Sequence, residues 1–388
     1  MANNVAAYNQ QKYTILIQAL LQEKLVAMDL ANTSLISSMP NGTTINFPRP
    51  AYLSVQQYTK YQAVTNSNIS STDETLTINQ TPIIAFEYDQ IDLEDNAWNV
   101  IGNTVENSAF LLKEYVDSLF MNQALNFNLV YNGGTATALS STNAVNTMLN
   151  AYATLTQQGI DTDNAVLVTD AFARNQFEQQ AISSRFELGD EVFKRGYKGD
   201  VAGFMYYVSN NLTCVGTILE SVNPTVGDTV TFGPVTFTFS ATPTNPGDIL
   251  VGISAAATAQ YLTDAINQNG TVGTDSIALT QSQSASMRQI SATLSGTTIT
   301  VTSLRGYVGV SHSYTSASNK FGLFTIYAYA MEKGSIDLVL RDNVSMKILD
   351  VPGTIARQYL LWSRFGLKVF SQGAERGIII PLVARAAD

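Results

Sequence analysis

The sequence predicts a mixed α+β chain with more than one hydrophobic core, and three observations carry that expectation. Its 388 residues exceed what a single core usually fills, which points to two or three domains or to one core with large insertions. Apolar residues spaced by three and four mark helices near 10–31 and 104–126, while short alternating or continuous apolar runs mark strands between and after them. From about Ser221 to Ser318 the composition shifts to Thr, Ser, Gly and Ala, and apolar text resumes at Phe321. A small α+β unit is therefore expected as an insertion in an interrupted core rather than as an appended domain.

Each element follows from local chemistry. Tyr13, Ile17, Leu20, Leu21, Leu25 and Met28 share one face of an opening amphipathic helix, which Asn41-Gly42 ends. Phe47-Pro48-Arg49-Pro50 then favours extended backbone, because proline fixes its own torsion and restrains its neighbour. To about Asp95 the chain is polar and extended, with Leu76 and Ile78 alternating against Thr75, Thr77 and Asn79. A long two-stranded polar projection of this kind is marginal in water and needs a neighbouring molecule to lie on.

The strongest helix runs from Thr104 to Asn126, with Asn103 as its cap, Glu106 three residues on, and Leu112, Tyr115, Val116, Leu119 and Phe120 as its buried stripe. After the Asn132-Gly133-Gly134 loop, helices are expected at 144–157 and 171–181, and a buried strand at Ala165–Thr169. Glycines at 196, 199 and 203 read as turns before a strand at Phe204–Val208. Within 221–318, strands are expected at 229–232, 235–239, 289–294 and 297–302, with one helix at 256–267.

Composition excludes several classes. Charged residues make up 13% of the chain against 45% apolar ones, well below the roughly 25% charged residues of ordinary soluble domains, so much of the surface is expected to be covered by partners. The 31 acidic and 21 basic residues give a net charge of −10 with no Lys/Arg run, which argues against sequence-specific nucleic-acid binding. Cys214 is the only cysteine and His312 the only histidine, so neither a disulfide framework nor a histidine-based triad can be built. The N-terminus lacks the basic start and continuous apolar core of a signal peptide, and no stretch approaches the roughly 18 apolar residues of a membrane span. Synthesis and assembly in a reducing cytoplasm are expected.

Several phrases carry a family resemblance: NFPRP entering the extended stretch, TINQTPIIAFEYDQIDLEDN leaving it, GYKGDVAGFMYYVSNNL after the central helices, and FGLKVFSQGAERGIIIPL near the end. With the order of elements, they resemble tailed-bacteriophage major capsid proteins of the Hong Kong 97 fold. That resemblance implies an N-terminal arm at 1–33, an extended E-loop at 34–95, a peripheral domain with a spine helix at 96–145, and an axial domain at 146–220 and 319–350. It places an inserted α+β domain at 221–318 and a return to the peripheral domain at 351–388. The GDTVTFGPVTFTF and TAQYLTDAIN pattern of the insert resembles small domains of other phage structural proteins. Nothing before Tyr13 is long enough to be the cleaved scaffolding segment of many relatives, so the expectation is that scaffolding is a separate protein or that this chain is the mature product beginning at a retained Met1.

The resemblance implies self-assembly as pentamers and hexamers into an icosahedral head around double-stranded DNA, with scaffolding, portal and decoration proteins as partners. For such a container the acidic balance is apt, since an acidic wall does not hold a polyanion by counterion release. A tail-tube or baseplate protein is the alternative, because the insert pattern occurs there too. No catalytic residue, cofactor or metal is expected. His312 reads as a polar residue of the insert and Cys214 as a small buried apolar one. Asp89, Asp92, Glu94 and Asp95 lack calcium-loop spacing and read as a solvated turn or intersubunit ion pairs. Gly196, Gly199 and Gly203 are too widely spaced for a phosphate cradle. Arg49, Lys60, Asp73 and Glu74 are the candidate intersubunit contacts, since a projecting loop needs polar register contacts to dock. Lys60, the only lysine of that loop, is read as an ordinary exposed lysine rather than as one partner of the Lys–Asn crosslink some relatives form.

Overall fold

The computed structural model describes residues 26–34, 43–48, 55–64, 73–90, 100–160, 164–183, 200–201, 204–270 and 274–387. The chain divides into two units. The first takes its described residues from Ala31–Leu112 and Ile336–Phe370, and the second from within Leu21–Leu30, Lys113–Ser335 and Ser371–Asp388.

In the first unit, β1 (Thr44–Pro48) and β2 (Asp73–Thr77) pair antiparallel as the two legs of a hairpin, with Thr44 opposite Thr77 and Pro48 opposite Asp73. A second, three-stranded sheet has the order β17-β18-β3, from β17 (Asp337–Asp350), β18 (Ala356–Lys368) and β3 (Ile83–Asp89). Period-two alternation turns Tyr359 and Leu361 of β18 inward, where they meet Leu112, with Ile84, Phe86, Ile101, Val105 and Ala109 around them. Tyr359 stacks on Phe86 with ring centroids 5.2 Å apart.

That packing explains where the long helix begins. Helix α2 (Val100–Gln123) follows the four-residue α1 (Ala27–Leu30) and starts four residues before the expected Thr104. Asn103 is therefore inside the helix and not its cap, because Ile101 and Val105 both pack on the β18–β3 core and hold the extra turn. A 3-10 turn, Ala124–Asn126, closes the far end. Of the opening helix expected at 10–31, residues up to 25 lie outside the described ones. In α1, Ala27 and Leu30 are buried while Met28 is exposed, contrary to the expected stripe.

The second unit is built on a ten-stranded sheet of order β12-β13-β8-β16-β5-β7-β6. Its members are β5 (Ala165–Thr169), β6 (Asp200–Val201), β7 (Phe204–Val208), β8 (Cys214–Glu220), β12 (Ile290–Ser295), β13 (Thr298–Ser303) and β16 (Phe324–Glu332). Three more strands pair off that path: β15 (Asn319–Phe321) with β8, β19 (Gly377–Arg385) with β16, and β4 (Leu129–Val130) with β19. Every residue of β5 is buried, as a continuous Ala-Val-Leu-Val run demands. Helices α3 (Ala144–Gln157) and α4 (Ala171–Ser183) match their expected positions.

The stretch 221–318 contributes to two sheets. Strands β9 (Thr229–Phe232), β10 (Val235–Ser240), β11 (Asp248–Leu250) and β14 (Val310–His312) form a four-stranded sheet of order β11-β10-β9-β14. The β12–β13 hairpin instead joins the ten-stranded sheet through β13 and β8. Helix α5 (Ala255–Ile266) is capped by Ser254, whose hydroxyl accepts from Ala257 N, and the short α6 (Gln281–Ser286) by a Thr280–Gln283 capping box. At the outer edge of β12, the Asn267 side chain takes the place of a missing strand: its amide donates to Ala292 O and its oxygen accepts from Ala292 N, both at 2.8 Å. Helix α7 (Ser371–Ala374) leads into β19.

Candidate functional site

Several apolar side chains are exposed in the stretch between the two legs of the hairpin. Between its legs, Val55, Tyr58, Tyr61 and Val64 are all exposed, Val55 completely and Tyr61 at 88%. Tyr61 sits at φ 68°, a left-handed conformation uncommon for a bulky residue, inside a turn in which Gln62 N donates to Thr59 O. Lys60 Nζ lies 5.1 Å over the Tyr61 ring. The base of the hairpin is fixed: Phe47 meets Phe370 edge-on at 5.0 Å, and Lys368 Nζ donates to Thr75 O at 2.6 Å. Gly366 permits this close approach, since a Cβ there would lie 2.6 Å from Thr77 O.

Of the expected contact residues, Arg49 lies outside the described residues. Asp73 is exposed at the start of β2 opposite Pro48, Glu74 is half-buried opposite Phe47, and Lys60 stands on the exposed stretch. Lys60 thus lies in the stretch between the two strands, and Asp73 and Glu74 lie on β2. Asp92, Glu94 and Asp95, and the glycines at 196, 199 and 203, are also outside the described residues, whereas Asp89 ends β3 opposite Ala356.

In the second unit, α2 carries buried polar groups that sequence reasoning missed. Tyr115 and Leu119 of the expected stripe are only half-buried, while Glu114, Asp117 and Ser118 are almost wholly enclosed. Glu114 accepts from Arg288 (3.1 Å to Oε2) and from Arg305 (3.0 Å to Oε1). Asp117 Oδ1 accepts from Val26 N at 2.9 Å and Ala27 N at 2.7 Å, and its Oδ2 from Asn211 Nδ2 at 2.9 Å. One helix turn therefore ties down residues 288 and 305 by ion pairs and the entering backbone at Val26 by a distant N-terminal cap. Two acids three residues apart, amid Leu, Val and Phe, were the available signal. Nothing in the sequence says which partners they meet.

The remaining candidates for chemistry are structural. Cys214 is buried, and desolvation pushes its thiol up to about 12, so it is held as an unreactive thiol. His312 packs against Tyr314 and Phe321, with centroids 4.9 and 4.7 Å away, and its Nδ1 accepts from Tyr314 N. Burial raises the Glu220 acid to about 7, opposed by the hydrogen bond it accepts from Tyr314 Oη at 2.9 Å. Among the described residues, no group of three or more His, Cys, Asp or Glu side chains could hold a metal ion. No described helix is long and apolar enough to cross a membrane.

No family model matches the sequence, and no curated protein matches it. Solved structures do. A chain of Mycobacterium phage Che8 superposes with a TM-score of 0.55 at 12% identity, covering 96% of this chain and 97% of that one. The asymmetric unit of the bacteriophage PhiM1 mature capsid gives 0.52 at 7% identity over 97% and 92%. The capsid structure of cyanophage P-SCSP1u gives 0.51 at 11% identity over 97% and 93%. The chain is a mixed α+β protein with the fold of phage capsid chains. That is the fold which the Hong Kong 97-type resemblance in the sequence implies.

Proposed function

We propose that this chain is the major capsid protein of a tailed bacteriophage, assembling as pentamers and hexamers into the icosahedral shell around double-stranded DNA. The observation that carries this reading is the capsid fold running the length of the chain, with almost all of each matched chain covered. The exposed stretch between β1 and β2 supports it, because bare Val55, Tyr58, Tyr61 and Val64 have little to stabilise them without a neighbouring copy. The tail-tube or baseplate alternative has no such support.

In this reading, residues 1–33 form the arm, 34–95 the E-loop, 96–145 and 351–388 the peripheral domain, 146–220 and 319–350 the axial domain, and 221–318 the insert. Lys60, Asp73 and Glu74, with Arg49, supply polar register contacts between copies. Each exposed pair adds about 1 kcal/mol or less, and closed symmetry multiplies them. The protein acts without catalysis or cofactor. Scaffolding, portal and decoration proteins are its partners, DNA is enclosed without sequence preference, and assembly takes place in the host cytoplasm.

The test is negative-stain microscopy of the protein expressed alone and together with its neighbouring viral genes. Closed round or angular shells are expected. Tubes of stacked rings would move the assignment to the tail, and a stable monomer in both cases would refute it.

A further inference from the structure

Glu220, the last residue of β8, stands opposite Asn319, the first residue of β15. Between them run residues 221–318, which form the four-stranded sheet and rejoin the ten-stranded one through β12 and β13. The joint is stitched by Ser221 Oγ donating to Ser318 O at 2.6 Å, Val222 N donating to Asn319 Oδ1 at 2.9 Å, and Tyr314 Oη donating to Glu220 Oε1 at 2.9 Å. Alternation along β8 turns Glu220 to the buried face, where it is fully enclosed. Its second oxygen, Oε2, and the facing Asn319 Nδ2 are both buried without a hydrogen-bond partner.

A carboxylate enclosed in this way keeps its charge against the desolvation cost with one hydroxyl donor, whereas the neutral acid fits without that cost. The titratable and charged groups around it do not compensate. They are the Tyr314 hydroxyl, the His312 ring 4.9 Å from that of Tyr314, and the Asp228 carboxylate, which accepts from Thr315 N and Oγ1 beside Tyr314. Just before β13 the facing contact is a backbone one, Glu220 N to Thr297 O. Lys320 of β15 is exposed on the alternate face, and Arg385 of β19 lies over the Phe321 ring.

We propose that Glu220 is a proton-operated latch on the joint: neutral, it holds β15 and the Tyr314 segment against β8, and on giving its proton to water it lets them open. Burial places the switch near neutral pH, at about 7. For an acid raised above its ordinary 4.5, the contribution to closure is complete below pH 4.5 and is lost as pH rises to about 7.

Hydrogen exchange of the full-length chain, corrected for the intrinsic rate at each pH, reads the opening directly. Between pH 5 and 8 the opening of 214–222 and 314–321 is expected to rise by up to about 70-fold, the limit set by a shift from 4.5 to about 7. Glu220→Gln should give a flat profile at the low-pH level. Tyr314→Phe should keep the rise but move its midpoint to higher pH, because the Tyr314 hydroxyl favours the ionised acid. A wild-type slope no steeper than that of Glu220→Gln would overturn the latch, as would a Glu220 carboxyl NMR titration centred near 4.5. Should Glu220→Gln not fold, the Tyr314→Phe shift and the carboxyl titration decide by themselves.

Discussion

Replacing Asp117 by Ala should unfasten the entering backbone from α2. The carboxylate is 1% exposed and accepts hydrogen bonds from Val26 N, Ala27 N and Asn211 Nδ2, among others. Alanine leaves three buried donors unpaired, at about 1–3 kcal/mol each, partly offset because a charge no longer has to be kept from water. A net loss of about 3–5 kcal/mol follows. Asp117→Asn should cost much less, about 1–2 kcal/mol, because its remaining oxygen still accepts from Val26 and Ala27 while a flipped Asn211 amide can accept from its new NH2. Urea unfolding measures both losses, and hydrogen exchange at Val26 and Ala27 locates them. An Asp117→Ala variant within about 1 kcal/mol of wild type, or one whose Val26 and Ala27 amides keep their protection, would show that the cap does not hold the backbone and would refute this account.

Other outcomes are equally definite. Glu114→Ala and Arg305→Ala should be non-additive, with a coupling of about 1–3 kcal/mol in a double-mutant cycle of unfolding free energies, because one buried carboxylate serves both arginines. Gly216→Ala puts a Cβ 2.1 Å from the Phe324 ring, so thermal unfolding should fall by the equivalent of about 1–3 kcal/mol, and adding Phe324→Leu should restore part of it. Burial raises the Asp337 acid to about 6, against a hydrogen bond from Asn32. Its contribution to stability is complete below its ordinary 3.8 and is lost as pH rises to about 6. Asp337→Asn should therefore flatten that part of a melting-temperature profile taken from pH 4 to 7. Tyr58→Ser with Tyr61→Ser should leave thermal unfolding unchanged while sedimentation shows assembly lost, since both rings are exposed in the single chain.

The fold was legible where a pattern has one physical reading. The all-apolar run at Ala165–Thr169, the three- and four-residue spacing at 144–157 and the alternation at 229–240 each became the expected element, because burial of one face or of both leaves no other solution. Polar anchors were not legible. Glu114 and Asp117 look in sequence like the solvated side of an amphipathic helix, and they are buried because Arg288, Arg305, Asn211 and the Val26 backbone come from 91 or more residues away. Glu220 is hidden in the same way, since its inward placement depends on the phase of β8 and on β15 covering it. The start of α2 was misplaced because a local cap signal at Asn103 was outweighed by the packing of Ile101 on a sheet formed mainly by residues beyond 336.

By itself the sequence determined the class of the chain: periodicity and the shift in composition at 221–318 are local properties that suffice for a mixed α+β chain, and the capsid-type fold is what the resemblance of its phrases and element order implies. Tertiary structure alone decided which strands of that segment join the ten-stranded sheet, which acids are enclosed and which apolar side chains stay bare on the hairpin. Those depend on pairings between distant residues, and the free energy of burying or pairing a side chain is set by what the rest of the chain brings to it, not by its neighbours in sequence.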